Sequence, residues 1–322
     1  MITIRAFVRT LLVLASVFLS WESKSENYGV IANRLGRRLD FLNLQSHTYN
    51  NFSIPLPDRP HRLIEKNLKF FVLLEDIPGF YIAGTPTPSD GKLVKTDFIP
   101  TDISVYKDEI VLSSGTGKLF FYHPAKNEIS KVLEIDASYG IQRFFIHGDK
   151  AFIMSDKSHM LICVNMKTGA VVQHMTLPFF PKNGLPIGED SLMIVGEKGL
   201  FFYNGKTGRQ VHTSFPLTIS HMDTINSTVY LMSATSGRVA TYDLVTHQIV
   251  KQRNLNVHPS DLKTFNGKVY ILSDQKNSIY VLNENLLLET HIPVKHGPAS
   301  MIFLNVLQDK KLQDKKPPHP PE

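Results

Sequence analysis

Arg62, Asp102, Arg143, His221 and Asp261 carry charge or a titratable ring at a common spacing. They fall at multiples of roughly forty residues, each two positions past an equivalent point in a recurring pattern. A guanidinium is a planar fork of donors, so Arg62 and Arg143 together would clamp a carboxylate or a phosphate. His221 beside them would supply a general base. Asp102 and Asp261 would alternate negative with positive charge around the same ring. Gly184 and Ser300 complete that series, and the residues one position earlier form a second: His61, Thr101, Gln142, Asn183, Ser220, Ser260 and Ala299. A strand-opening aspartate has another use, which is to bond backbone amides of an adjacent strand.

The element that must position these residues is the repeat itself. Short apolar runs recur in register: KFFVLL, EIVLSS, KAFIMSD, SLMIVGE, TVYLMSA and KVYILSD. Uninterrupted runs of this length, rich in β-branched and aromatic residues, suit strands buried on both faces. Each is followed by a turn and a further strand such as KLFFYHP, MLICVNM or SIYVLNE. Fourth strands follow turns such as Lys167-Thr168-Gly169 and Lys206-Thr207-Gly208, where glycine supplies a positive φ. Four short strands per forty-residue period make the blade of a β-propeller. Helical stretches of the length an α/β fold needs are missing after the first 25 residues.

The two ends of the chain complement each other. Pro298–Leu304 reads as a first strand that stops, and Val30–Pro55 reads as strands two to four. The expected fold is therefore all-β, a seven-bladed β-propeller closed by a composite blade from both termini. Such a latch removes the exposed sheet edges that an open ring would leave.

Hydrophobic content of 42% and charge of 20% over 322 residues are those of a globular domain. The formal charge of +6 is spread along the chain, which argues against nucleic-acid binding. Residues 1–25 have basic residues Arg5 and Arg9, the apolar run Leu11–Leu19 and a Ser23-Lys24-Ser25 end, the pattern of a secretory signal peptide. The run is too short for an integral membrane span. The propeller is expected over residues 26–305, and the Lys- and Pro-rich residues 306–322 as a disordered tail. Cys163 lies mid-strand, the setting of a buried, inert thiol. Asn51-Phe52-Ser53 and Asn226-Ser227-Thr228 are glycosylation sequons where the host performs that chemistry.

The Pro-x-Asp openings Pro100-Thr101-Asp102 and Pro259-Ser260-Asp261, with the Lys-Thr-Gly turns, resemble the YVTN/NHL-type propeller repeat superfamily over roughly residues 28–305. The resemblance implies a fold above all. It also implies company that includes periplasmic and surface binding proteins, lactonase-like enzymes and propeller subunits of amine-dehydrogenase-like enzymes. Trp-Asp repeat and quinoprotein propellers rely on repeated tryptophans, whereas the one tryptophan here is Trp21.

Two functional expectations follow. The first is a non-catalytic, secreted or periplasmic propeller that binds a protein, peptide or glycan through one face. The alternative is a lactonase-like hydrolase, with His221 as base and Arg62 or Arg143 stabilising an oxyanion, or a subunit of an amine-dehydrogenase-like enzyme. The predicted mouth lacks the glutamate a lactonase-like site would add. The 13 histidines include no His-x-His and no His-x3-His pair, although His61, His221, His258 and His296 all stand near blade starts. No metal site and no cofactor are expected.

Overall fold

The computed structural model describes residues 25–84, 91–136, 138, 140–141, 143–155 and 157–307. The expected leader up to residue 24, the tail beyond 307 and Gln142 lie outside the described residues. Among those described there are strands and turns and no helix. The strands form seven four-stranded antiparallel sheets. Six are sequential, at residues 60–95, 100–134, 143–176, 181–214, 221–254 and 261–293, and are called blades 1 to 6.

Blade 7 is the composite one. Pro298–Leu307 pairs antiparallel with Ser25–Asn33, which continues into Arg38–Asn43 and Thr48–Pro55. Val30 stands opposite Ile302, and Ile31 opposite Met301. The strand reaches back to Ser25 and on to Leu307, slightly past the limits of 26 and 305 expected from sequence.

Each blade's first strand lies innermost and touches the first strand of the next blade, all the way round from Pro60–Lys66 to Pro298–Leu307 and back. The core is divided rather than central. Seven hydrophobic clusters each bridge one blade boundary, such as Phe71, Leu73 and Phe80 against Ile103, Leu112 and Tyr122. This is why the second strands read as unbroken apolar runs: Phe70 to Leu74 and Val269 to Leu272 are buried throughout, since a neighbour covers each face. Gly169 and Gly208 adopt the positive φ expected of them, at 77° and 70°.

Turns between second and third strands hydrogen-bond to the linkers that enter their own blade or the next. Glu75 N donates to Arg59 O, Phe215 N to Lys198 O and Val294 N to Asn277 O. One face of the ring therefore gathers these turns, the linkers and the starts of all innermost strands. It is called the mouth face below.

Candidate functional site

Four innermost strands open on a proline, at Pro60, Pro100, Pro181 and Pro298, and each carries a register shift at its start. Proline gives no amide to the ladder, so a strand tolerates it at its first residue. The bulge that follows leaves one residue without a cross-strand partner and re-aims its side chain. Pro60 pairs with Leu74 and Arg62 with Leu73, which leaves His61 as the bulged residue of blade 1.

The register also settles the ring. Arg62, Asp102, Arg143, His221, Asp261 and Ser300 occupy equivalent places, opposite the same point of their second strands. Blade 4 departs from the expectation. There the equivalent residue is Asn183, not Gly184, because Pro181 opens that strand one residue early and Lys182 takes the bulge. Gly184 instead lets two blades approach closely: a Cβ on it would stand 2.4 Å from Phe145 and 2.7 Å from Ile194.

The aspartates are blade-to-blade staples. Asp102 has no exposed surface. Its Oδ1 accepts from Ile103 N at 2.9 Å and from Arg62 Nε at 2.8 Å, and its Oδ2 accepts from Phe144 N of blade 3 at 3.0 Å. Asp261 repeats the motif: Oδ1 takes Leu262 N at 2.9 Å and Oδ2 takes Met301 N of blade 7 at 3.2 Å. Asp223, two residues past His221 and unremarked in the sequence, bonds Thr224 N and Thr264 N of blade 6 in the same way. Asn183 reaches Gly184 N and Ser220 O. Thr101 and Ser260 donate to the next blade's Ile141 O and Pro298 O. Ser220 holds its own blade and Ala299 has no polar side chain.

The cations differ sharply from one another. Arg62 is paired with Asp102, and although burial works against its charge, Asp102 and Asp261 together raise its pKa. Arg143 has no such pairing. The nearby positive charge of Arg62, followed by burial, lowers its pKa to about 10 against the weaker pull of Asp102 and Asp261. Its Nη1 is buried and has no hydrogen-bond partner among the described residues. His61 Nε2 is likewise buried and unpartnered, and burial followed by the charge of Arg62 lowers its pKa.

His221 bonds Ser220 Oγ through Nδ1 at 3.0 Å. Burial pushes its pKa down to about 3, with Asp261 opposing and Arg143, Lys263 and Arg62 adding to the fall. A ring whose conjugate acid is that acidic is a weak Brønsted base at neutral pH. Folded His221 stays neutral while the unfolded chain takes up its proton below about pH 6.5. The unfolded state then binds more protons, so stability is full above that pH and is lost as pH falls toward 3. His221→Gln is expected to flatten this slope, which the urea midpoints of both proteins at pH 7.5 and 4.5 would measure. An unchanged slope would remove His221 as its source.

His258 and His296 are exposed. Among the described residues no three His, Cys, Asp or Glu side chains are grouped to hold a metal. Cys163 is buried, and burial raises its thiol pKa.

No family model matches the sequence and no curated protein matches it. Solved structures do resemble it. A functionally unknown protein from Desulfotomaculum acetoxidans superposes with a TM-score of 0.70 at 12% identity, covering 87% of this chain and 99% of that one. AztD from Citrobacter koseri gives 0.66 at 12% identity, over 88% and 98%. Hydrazine synthase from Kuenenia stuttgartiensis gives 0.68 at 11% identity, over 80% and 92%. At such identities the likeness concerns the fold alone, that of the β-propeller.

Proposed function

We propose that this protein is a non-catalytic binding propeller of the YVTN/NHL-type group that engages a protein, peptide or glycan partner through its mouth face. One observation carries the reading. Asp102, Asp223 and Asp261 each have both carboxylate oxygens committed to backbone amides, and His221 is a weak base. The three carboxylates and His221 are thus poorly placed to accept a proton, whereas Arg143 Nη1 and His61 Nε2 are buried without partners among the described residues. That set of groups suits recognition better than bond-breaking. Asp102 and Asp261 then serve the site by holding its frame, and Arg143 by contact.

The leader-like residues 1–25 place the protein outside the cytoplasm in this proposal. No helix among the described residues is long and apolar enough to cross a membrane. The mouth face also carries exposed Leu35, Ile99 and Phe180 between its charges, as a recognition surface would.

Amine-labelling of the purified protein, with and without extracellular extract of its source, tests the proposal. Protection is expected at Lys157, Lys198, Lys276 and Lys295 of the mouth face. Lys107, Lys126, Lys167 and Lys206, on turns of the opposite face, should label as before. Protection of the second set, or lactone hydrolysis abolished by His221→Ala, would overturn it.

A further inference from the structure

The unpartnered donors at the mouth have a more specific meaning. We infer that Arg143 Nη1 and His61 Nε2 together form the receptor for a single carboxylate, with Arg62 excluded from the contact. This rests on the binding reading above and names the chemistry of the group received.

The geometry separates the two arginines that the sequence treats alike. Arg62 Nε is spent on Asp102 at 2.8 Å, a pair whose carboxylate is fully buried. Arg143, its equivalent two blades on, has no ion pair among the described residues, yet its Nη1 is shut off from water. A buried donor of a charged group without a partner is costly, and proteins keep few of them without cause. His61 shows the same feature at Nε2 and lies within electrostatic reach of Arg143. Its position on the bulge of blade 1 takes it out of the ladder, next to Arg62 at the start of the innermost strand. In the Nε2–H tautomer, His61 is a neutral donor where Arg143 is a cationic one.

Charge decides the class of ligand. Arg62 and Arg143 balance Asp102 and Asp261, so the ring starts out neutral. A dianion would bring twice the uncompensated charge of a monoanion into a place poor in water. A carboxylate offers two oxygens in one plane, enough for one guanidinium edge and one imidazole donor. A phosphate would bring a third oxygen to a site with two unpartnered donors.

Calorimetric titration and thermal shift with sodium acetate, against sodium chloride at constant ionic strength, provide the test. Acetate is expected to bind saturably, one per chain, and to raise Tm with concentration. Arg143→Met is expected to weaken that binding at least ~10-fold and His61→Leu roughly 3- to 10-fold, as suits a charged and a neutral hydrogen bond. Arg143→Met without ligand should melt no lower than the parent, because the cation it removes has no partner. This separates lost binding from lost folding.

A short peptide with a free C-terminus and its C-terminal amide then distinguish the source. A free-acid peptide that binds more tightly than acetate, with an inactive amide, assigns a chain terminus. Equal affinities of peptide and acetate assign a small free acid. Inorganic phosphate binding as tightly as acetate, or acetate binding unchanged in Arg143→Met, would overturn the inference. Loss of acetate binding by the parent itself, with labelling protection still on the mouth face, would overturn this inference and leave the proposed function standing.

Discussion

Deleting residues 295–322 is expected to abolish the cooperative unfolding transition altogether. The deletion removes the innermost strand of blade 7, and with it Met301 and Leu304 from two different core clusters. Each fully buried side chain of that size contributes about 1.5–3 kcal/mol. The loss is larger than those two terms. Pro298–Leu307 is also the neighbour of the first strands of blades 6 and 1, and the ladder partner of Ser25–Asn33 from end to end. Its removal opens the ring and wets both flanking boundaries at once. A domain stabilised by about 5–15 kcal/mol does not tolerate this. A circular permutant joining Leu307 to Ser25, with new ends in the exposed turn at Lys206, should melt like the parent. Calorimetry of the three proteins measures the effect, and a truncated protein that kept a sharp transition near the parental Tm would contradict the latch.

Asp102→Ala is expected to cost about 3–5 kcal/mol, the range for breaking a buried charge pair by removing one partner. The substitution strands Ile103 N and Phe144 N, and it leaves Arg62 beside Arg143 with the counter-charge gone. Arg62→Ala should cost less, because Asp102 keeps both amides. Urea denaturation of the two single variants and the double variant gives the coupling directly. A loss below about 1 kcal/mol for Asp102→Ala would mean that the staple is ornamental, since a net hydrogen bond alone is worth that much.

The ring and its closure were legible in the residues because two physical signatures survive in one dimension. Strands covered on both faces show as unbroken apolar runs, and tight turns demand residues that accept positive φ, such as Gly169 and Gly208. The complementary ends were legible for the same reason: Val30, Ile31, Leu39 and Leu42 repeat the pattern of interior strands. A fixed offset from each blade start then found Arg62, Asp102, Arg143, His221, Asp261 and Ser300.

That offset failed at Gly184 because a proline bulge changes the count by one, and bulges depend on pairing rather than on composition. Asp223 was missed although a period of two from His221 points to it. The distinction between Arg62 and Arg143 could not be read at all. Both are arginines at equivalent places, and only the arrangement of partners in space shows that one is satisfied and the other is not. Both uses of a strand-opening aspartate were open in the sequence, and the bonds of Asp102 and Asp261 to amides of their own and the next blade show the structural one.

The composite blade also dictates an order of events on the ribosome. Its three outer strands are synthesised first and its central one last. Through nearly all of elongation, Val30 and Ile31 therefore wait with one flank unprotected, while blade after blade is added behind them. Sealing cannot begin until the final strand has cleared the exit tunnel. Until that strand docks the ring stays open, and any delay in its arrival prolongs the interval in which chains with bared blade flanks are most prone to stick together.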